Sequence, residues 1–136
     1  MSARDVIANL RELAAVTGNA DGAQRVAWGP VWREARAWFA GRAGEIGLSA
    51  STDAAGNNWF TLPGESTRTV IVGSHLDCVP NGGWLDGALG VLAGFEALRM
   101  FSLSRPPLTL ALVDWPTKKA RGSAGACSDR RPRAER

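Results

Sequence analysis

Apolar positions in the first eighteen residues recur at helical spacing. Val6, Leu10, Leu13 and Val16 stand three or four apart, Ser2 precedes them as a cap, and Gly18 ends the run. A second helical pattern opens at Pro30, where a first turn accepts proline. It carries Val31, Trp32, Ala35, Trp38 and Phe39, and it closes among the glycines between Gly41 and Gly47. The tryptophans of this region are expected in the core. The pattern then switches period. Leu48 to Thr52 and Asn57 to Leu62 alternate loosely around Asp53-Ala54-Ala55-Gly56, which predicts two strands joined by a tight loop, and Pro63-Gly64 closes the second. Thr69 to Gly73 and Leu108 to Trp115 are unbroken, β-branched apolar runs, the mark of strands covered on both faces. Between them a helix is expected from about Asp86 to Phe101, ending before Pro106-Pro107. Strand, helix and strand in that order predict a crossover. The expected class is α/β, with helices packed on a mainly parallel mixed sheet.

Composition narrows this picture. With 136 residues, 45% apolar content and no apolar run long enough to span a bilayer, the chain is expected to be one domain without a membrane partner. Met-Ser-Ala-Arg-Asp lacks a secretory pattern, and the two cysteines, Cys78 and Cys127, are too few for a disulfide framework; both point to the cytoplasm and to incidental thiols. Charge is uneven. Residues 1–115 hold nine Lys/Arg and eleven Asp/Glu, whereas residues 116–136 hold seven and two, so the whole basic excess belongs to the tail. The division expected is a folded part, 1–115, and a basic, disordered tail, 116–136. A nucleic-acid platform would interleave aromatics with Lys/Arg on a folded face, and that pattern is lacking.

The chemistry concentrates between Val70 and Arg99. A strand delivers the only histidine, His75, into a Gly/Pro/Asn loop carrying Asp77 and Asp86, and an apolar helix follows at once. Imidazole and carboxylate together suit a divalent transition metal, with Asp77 placed to hold the second imidazole nitrogen. Each residue alone has a plainer explanation, a satisfied histidine or a helix-capping aspartate; the three together favour a metal site at the carboxyl end of a strand. Nucleophilic catalysis lacks support, because Cys78 has no separate base and no Gly-x-Ser-x-Gly elbow occurs. The glycines at 82, 83, 87 and 90 fit neither a phosphate-binding nor a dinucleotide loop.

The stretch Gly73-Ser74-His75-Leu76-Asp77-Cys78-Val79-Pro80-Asn81-Gly82-Gly83-Trp84-Leu85-Asp86-Gly87-Ala88-Leu89-Gly90-Val91-Leu92-Ala93-Gly94 resembles the metal-binding segment of the N-carbamoyl-L-amino-acid hydrolase, β-ureidopropionase and allantoate amidohydrolase family, within the wider clan of two-metal aminoacylases and carboxypeptidases. Asp53-Ala54-Ala55-Gly56-Asn57 and Leu108 to Trp115 resemble flanking segments of the same family. The resemblance implies part of a zinc-peptidase-like catalytic domain, with His75 a ligand to one metal, Asp86 bridging both, and Asp77 orienting His75. It also implies two divalent ions (Zn, Mn, Co or Ni), a small N-carbamoyl or ureido substrate, and a homodimer for the intact family. Cys78 stands where Thr is usual and Trp84 where a charged residue is frequent.

The departure follows Trp115. There the family presents two adjacent glutamates, a general base and a metal ligand, whereas this chain reads Pro116-Thr117-Lys118-Lys119. Protonated Lys has no lone pair to offer a metal, and no second histidine occurs. Written in GC-rich codons and read in a neighbouring frame, residues 116–132 have as one permitted translation Ala-Asp-Glu-Glu-Gly-Ala-Arg-Phe-Gly-Arg-Ser-Leu-Phe-Gly-Ser-Ser-Ala, the continuation the resemblance implies. A single-base loss near the codon for Pro116, ending the product early, is therefore expected. Three function classes follow: an inactive, truncated amidohydrolase with weak or no metal retention; a nucleic-acid binder using the Arg-rich tail; and an interaction module pairing with a full-length homologue. Apolar sheet faces and edges are expected to be open.

Overall fold

The computed structural model of the chain describes residues 3–117. Helix α1 (Ala3–Thr17) leads into a small antiparallel pair, β1 (Gly18–Asn19) and β2 (Gly22–Ala23), followed by α2 (Pro30–Glu45). Strands β3 (Ser49–Thr52), β4 (Asn58–Leu62), β5 (Ser66–His75) and β6 (Leu108–Trp115) form one sheet in the order β3-β4-β6-β5, and α3 (Ala88–Phe101) connects β5 to β6. The β5–β6 pairing is parallel, as the expected crossover demands, while β3–β4 and β4–β6 are antiparallel. The α/β class stands, with a smaller parallel share than the strand-helix-strand pattern implied.

Local chemistry explains the hairpin. Asp53 folds back on its own loop: Oδ1 accepts from the N–H groups of Ala55 (2.9 Å) and Asn57 (3.0 Å), and Oδ2 accepts from Asn57 Nδ2 (2.8 Å) and Trp59 Nε1 (2.9 Å). These donors, Trp59 foremost, hold its carboxyl down at about 2. The hairpin's support from Asp53 is thus present above the ordinary carboxylate range and is lost as pH falls through about 2.

One apolar cluster joins all three helices to the sheet, with Leu10 and Leu13 from α1, Ala35 and Phe39 from α2, Leu92 and Phe95 from α3, Phe60 from β4 and Leu112 from β6. Phe39 is its hub, meeting Phe60 and Phe95 edge-on at centroid distances of 4.8 and 5.5 Å. Helix α3 comes close to β5 because Gly90 lacks a Cβ; one added there would lie 2.7 Å from Ser74 Oγ. Buried Glu96 ties α3 to α1 by accepting from Asn9 Nδ2 at 3.2 Å.

Several expectations change. Val16 is 52% exposed, and Thr17 takes the inward position instead, its hydroxyl donating to Leu13 O at 2.6 Å. Of the α2 tryptophans placed in the core, Trp32 is buried and Trp38 is half-buried against the apolar cluster. Helix α2 runs through Gly41 and Gly44 to Glu45. Helix α3 begins at Ala88 behind Gly87, with no side-chain cap, so Asp86 is not a cap. Among the described residues strand β5 is not covered on both faces: it lies at the sheet edge, and Val70, Ile71 and Val72 are 45%, 55% and 39% exposed. The tail from residue 118 onward, with Cys127, lies outside the described residues.

Candidate metal corner

His75 is the last residue of β5, level with Trp115 of β6. Beyond it the chain turns inward: Leu76 is wholly buried, and Asp77 and Cys78 are buried with it. The loop returns to Asp86 and makes a turn centred on Gly87, whose φ of 69° and ψ of −49° accompany a bond from the Ala88 N–H to Asp86 O at 2.7 Å. That i to i+2 closure is a γ-turn of the strained, positive-φ kind. The His75 ring packs on this turn, since a Cβ added at Gly87 would lie 2.5 Å from Nδ1 and Cε1. Ser74 Oγ clamps the same place, donating to Gly87 O at 2.8 Å. The fold therefore brings His75 against the residue that follows Asp86.

Asp77 backs the imidazole. His75 Nδ1 is 3.1 Å from the Asp77 carbonyl oxygen and 2.8 Å from Asp77 Oδ1. Both neighbours are acceptors, so in the neutral ring the proton belongs on Nδ1 and the lone pair on Nε2. The N–H is aimed at the carbonyl; Oδ1, buried, stays an electrostatic contact without a hydrogen bond of its own. Asp77 Oδ2 accepts from Thr117 Oγ1 at 3.0 Å.

Sequence reasoning missed Arg25. Fully buried, it donates from Nε to Leu76 O (2.7 Å), from Nη1 to Thr17 Oγ1 (3.3 Å) and from Nη2 to Trp84 O (3.3 Å), pinning both ends of the loop between His75 and Asp86. Burial, the largest cause, lowers its pKa, and the nearby carboxylates of Asp77 and Asp86 oppose that shift. An arginine held by Thr17 and by backbone carbonyls far along the chain leaves no periodic trace; its one signal is a lone cation among Ala23, Gln24, Val26 and Ala27. Substituting Thr17 with valine removes one acceptor from this buried guanidinium, and urea unfolding is expected to register a loss of about 1–3 kcal/mol.

A second buried charge stands beside the corner. Asp114, near the end of β6, accepts from Leu76 N–H through Oδ1 (3.0 Å) and from Arg36 Nε through Oδ2 (2.7 Å), while Arg36 Nη2 also reaches Gly56 O (2.8 Å) and Asp114 O (3.2 Å). Burial pushes the Asp114 carboxyl up to about 6, against the opposing pull of Arg36 and the Leu76 N–H.

The donors present are one imidazole nitrogen and one carboxylate. Among the described residues no three His, Cys, Asp or Glu side chains gather to hold a metal ion. A catalytic zinc takes three protein ligands, so the described residues do not complete a metal site.

No protein-family model matches the chain. It is 46% identical over 68 residues to an N-carbamoyl-L-amino-acid amidohydrolase of Rhizobium meliloti, a match covering 48% of this chain and 16% of that protein. It is 38% identical over 81 residues to the allantoate amidohydrolase of Escherichia coli, covering 58% and 20%. A hydantoinase/carbamoylase family amidase from Burkholderia ambifaria superposes with a TM-score of 0.78 at 30% identity, over 85% of this chain and 29% of its own. The chain belongs to the hydantoinase/carbamoylase family. As a member of that amidase family it shares the mixed α/β fold of the solved structures, and it spans no more than about a fifth of these two curated relatives. No described helix is long and apolar enough to cross a membrane.

Proposed function

We propose that this chain carries the first part of the site of a metal-dependent amidohydrolase, one that hydrolyses linear carbamoyl or ureido C–N bonds of small molecules, and that the chain as it stands is inactive. The observation supporting this is the γ-turn whose central Gly87, next after Asp86, packs on a histidine whose Nδ1 faces Asp77. His75 and Asp86 are the proposed ligands, and Asp77 the group that orients His75. The proposed ions are two divalent metals of the Zn, Mn, Co or Ni type, which nitrogen and carboxylate donors suit; the proposed compartment is the cytoplasm. Bound metal would polarise the carbonyl and lower the pKa of water.

Inactivity follows from chemistry. Paired glutamates are expected after Trp115, yet Lys118 and Lys119 stand there. General-base work alone is worth about 10²–10⁴ in rate. A slipped reading frame near Pro116 is compatible, through permitted codons, with all seventeen residues from 116 to 132. Incubated with N-carbamoyl-L-amino acids or allantoate and added Zn²⁺ or Mn²⁺, the chain is expected to release no ammonia, and calorimetric titration with either ion to show no tight one-to-one binding. Turnover by the unaltered chain overturns inactivity, and stoichiometric tight binding overturns the weak metal retention. Absence of the paired-glutamate codons from the neighbouring frame overturns the slip.

A further inference from the structure

We propose that the cavity between the end of α1, the β1–β2 pair and the loop before Asp86 is a binding site for a small aromatic carboxylate, separate from the metal corner. Its volume of about 320 Å³ lies within the range of small-molecule sites, which are mostly apolar with a few polar groups that fix orientation. Ala14, Gly18, Gly22 and Ala23 give it a lining of small residues, and Trp84, 39% exposed, adds an indole. A planar ring suits such a slot. The charge comes from Arg11, which lines the cavity from α1 and has neither a hydrogen bond nor an ion pair among the described residues. No Asp or Glu lines the cavity among those residues, so the guanidinium fork is open to a carboxylate from outside.

The walls are already tied together. Ala23 and Gly82 exchange main-chain hydrogen bonds at 2.9 and 3.1 Å, and Gln24 Nε2 donates to Asn19 Oδ1 (3.0 Å) and to Asn81 Oδ1 (2.7 Å), so the β1–β2 pair and the loop move as one piece. Buried Arg25 fixes the base of Trp84 by donating from Nη2 to its carbonyl oxygen at 3.3 Å. Two glycines allow the close approach: a Cβ on Gly18 would lie 2.7 Å from Ala14 O, and one on Gly22 would lie 2.9 Å from Gly82 O. A ligand entering here orders little that is not ordered beforehand, which favours binding by so small a molecule. His75, Asp77 and Asp86 take no part in the lining. The proposal thus stands apart from the proposed reaction and survives its failure.

The test titrates the full 136-residue chain with phenylacetate and follows the amide resonances of Ala14 and Ala23 and the Trp84 indole N–H, the last assigned by its loss in Trp84→Ala. Saturable shifts with a dissociation constant of about 1 mM or below are expected. Phenylacetamide, which keeps the ring and loses the charge, should bind at least about threefold more weakly, and acetate, which keeps the charge and loses the ring, at least about tenfold more weakly. Arg11→Gln should abolish the preference for the acid over the amide, whereas Arg68→Gln, an exposed arginine on β5, should preserve it. Ala14→Leu, which fills the cavity from a helical position, should abolish the shifts at Ala23. The site is overturned if phenylacetate moves none of the three resonances up to about 10 mM, or if Ala14→Leu leaves binding intact. Equal affinity for acid and amide, or a preference that outlives Arg11→Gln, overturns the carboxylate assignment. Added Zn²⁺ should not change the affinity; competition would put the ligand in the metal corner and overturn the separate site.

Discussion

Replacing Arg36 with leucine is expected to destabilise the chain by about 3–5 kcal/mol at pH 7, because it strands the buried Asp114 carboxylate without its counter-charge. A small domain has only about 5–15 kcal/mol in total, so the variant should sit at the brink of unfolding. Urea titration followed by tryptophan fluorescence measures the loss. The penalty has a pH signature. Asp114 is raised from 3.8 to about 6 in the folded chain. Between those values the folded state holds a proton that the unfolded state has released, so this group's support is full below the unfolded value and is lost as pH rises through about 6. Above that point the carboxylate needs Arg36; below it the neutral acid does not. The Arg36→Leu penalty should therefore shrink on acidification from pH 7 to pH 5, and a constant penalty would refute the role given to Asp114. In Asp114→Asn, the decline of stability between about pH 4 and 6 that this carboxyl causes should vanish.

Gly87→Ala should be comparably severe and should strike the corner itself. Holding an L-residue at φ of 69° and ψ of −49° costs about 1–3 kcal/mol, and a methyl 2.5 Å from the His75 ring adds overpacking of about 1–3 kcal/mol. The combined expectation is a loss of about 2–6 kcal/mol. With a single histidine in the sequence, its imidazole proton resonances are unambiguous in an NMR spectrum. They should shift in Gly87→Ala and stay in place in Val16→Ala, an exposed control on α1. Unmoved resonances with unchanged stability would mean that His75 does not lean on the turn.

Features carried by local pattern could be read without coordinates. The unbroken Leu108 to Trp115 run, the Asp53 loop and the glycine-rich return from His75 to Asp86 each state their own geometry, since strand period, Asx turns and glycine positions act over a few residues. What stayed hidden depends on distant partners. Arg25 reads as any arginine until Leu76 and Trp84 close over it. Val16 continues a helical stripe, yet the last turn of α1 is set by Thr17, which bonds to Leu13 O and accepts from Arg25. Val70 to Val72 look like a central strand because composition reports what a strand can bury and not whether a neighbour is there to bury it. The pair Gly18–Asn19 and Gly22–Ala23 is too short for any period to register.

The turn between Asp86 and Ala88 is a spot where the backbone wants the opposite hand from the rest of the chain. Only the achiral residue escapes that conflict, and every base change in a glycine codon that alters the amino acid installs an L-centre. Position 87 thus has no tolerated neighbours in mutational space: the corner can be kept or broken, but it cannot drift.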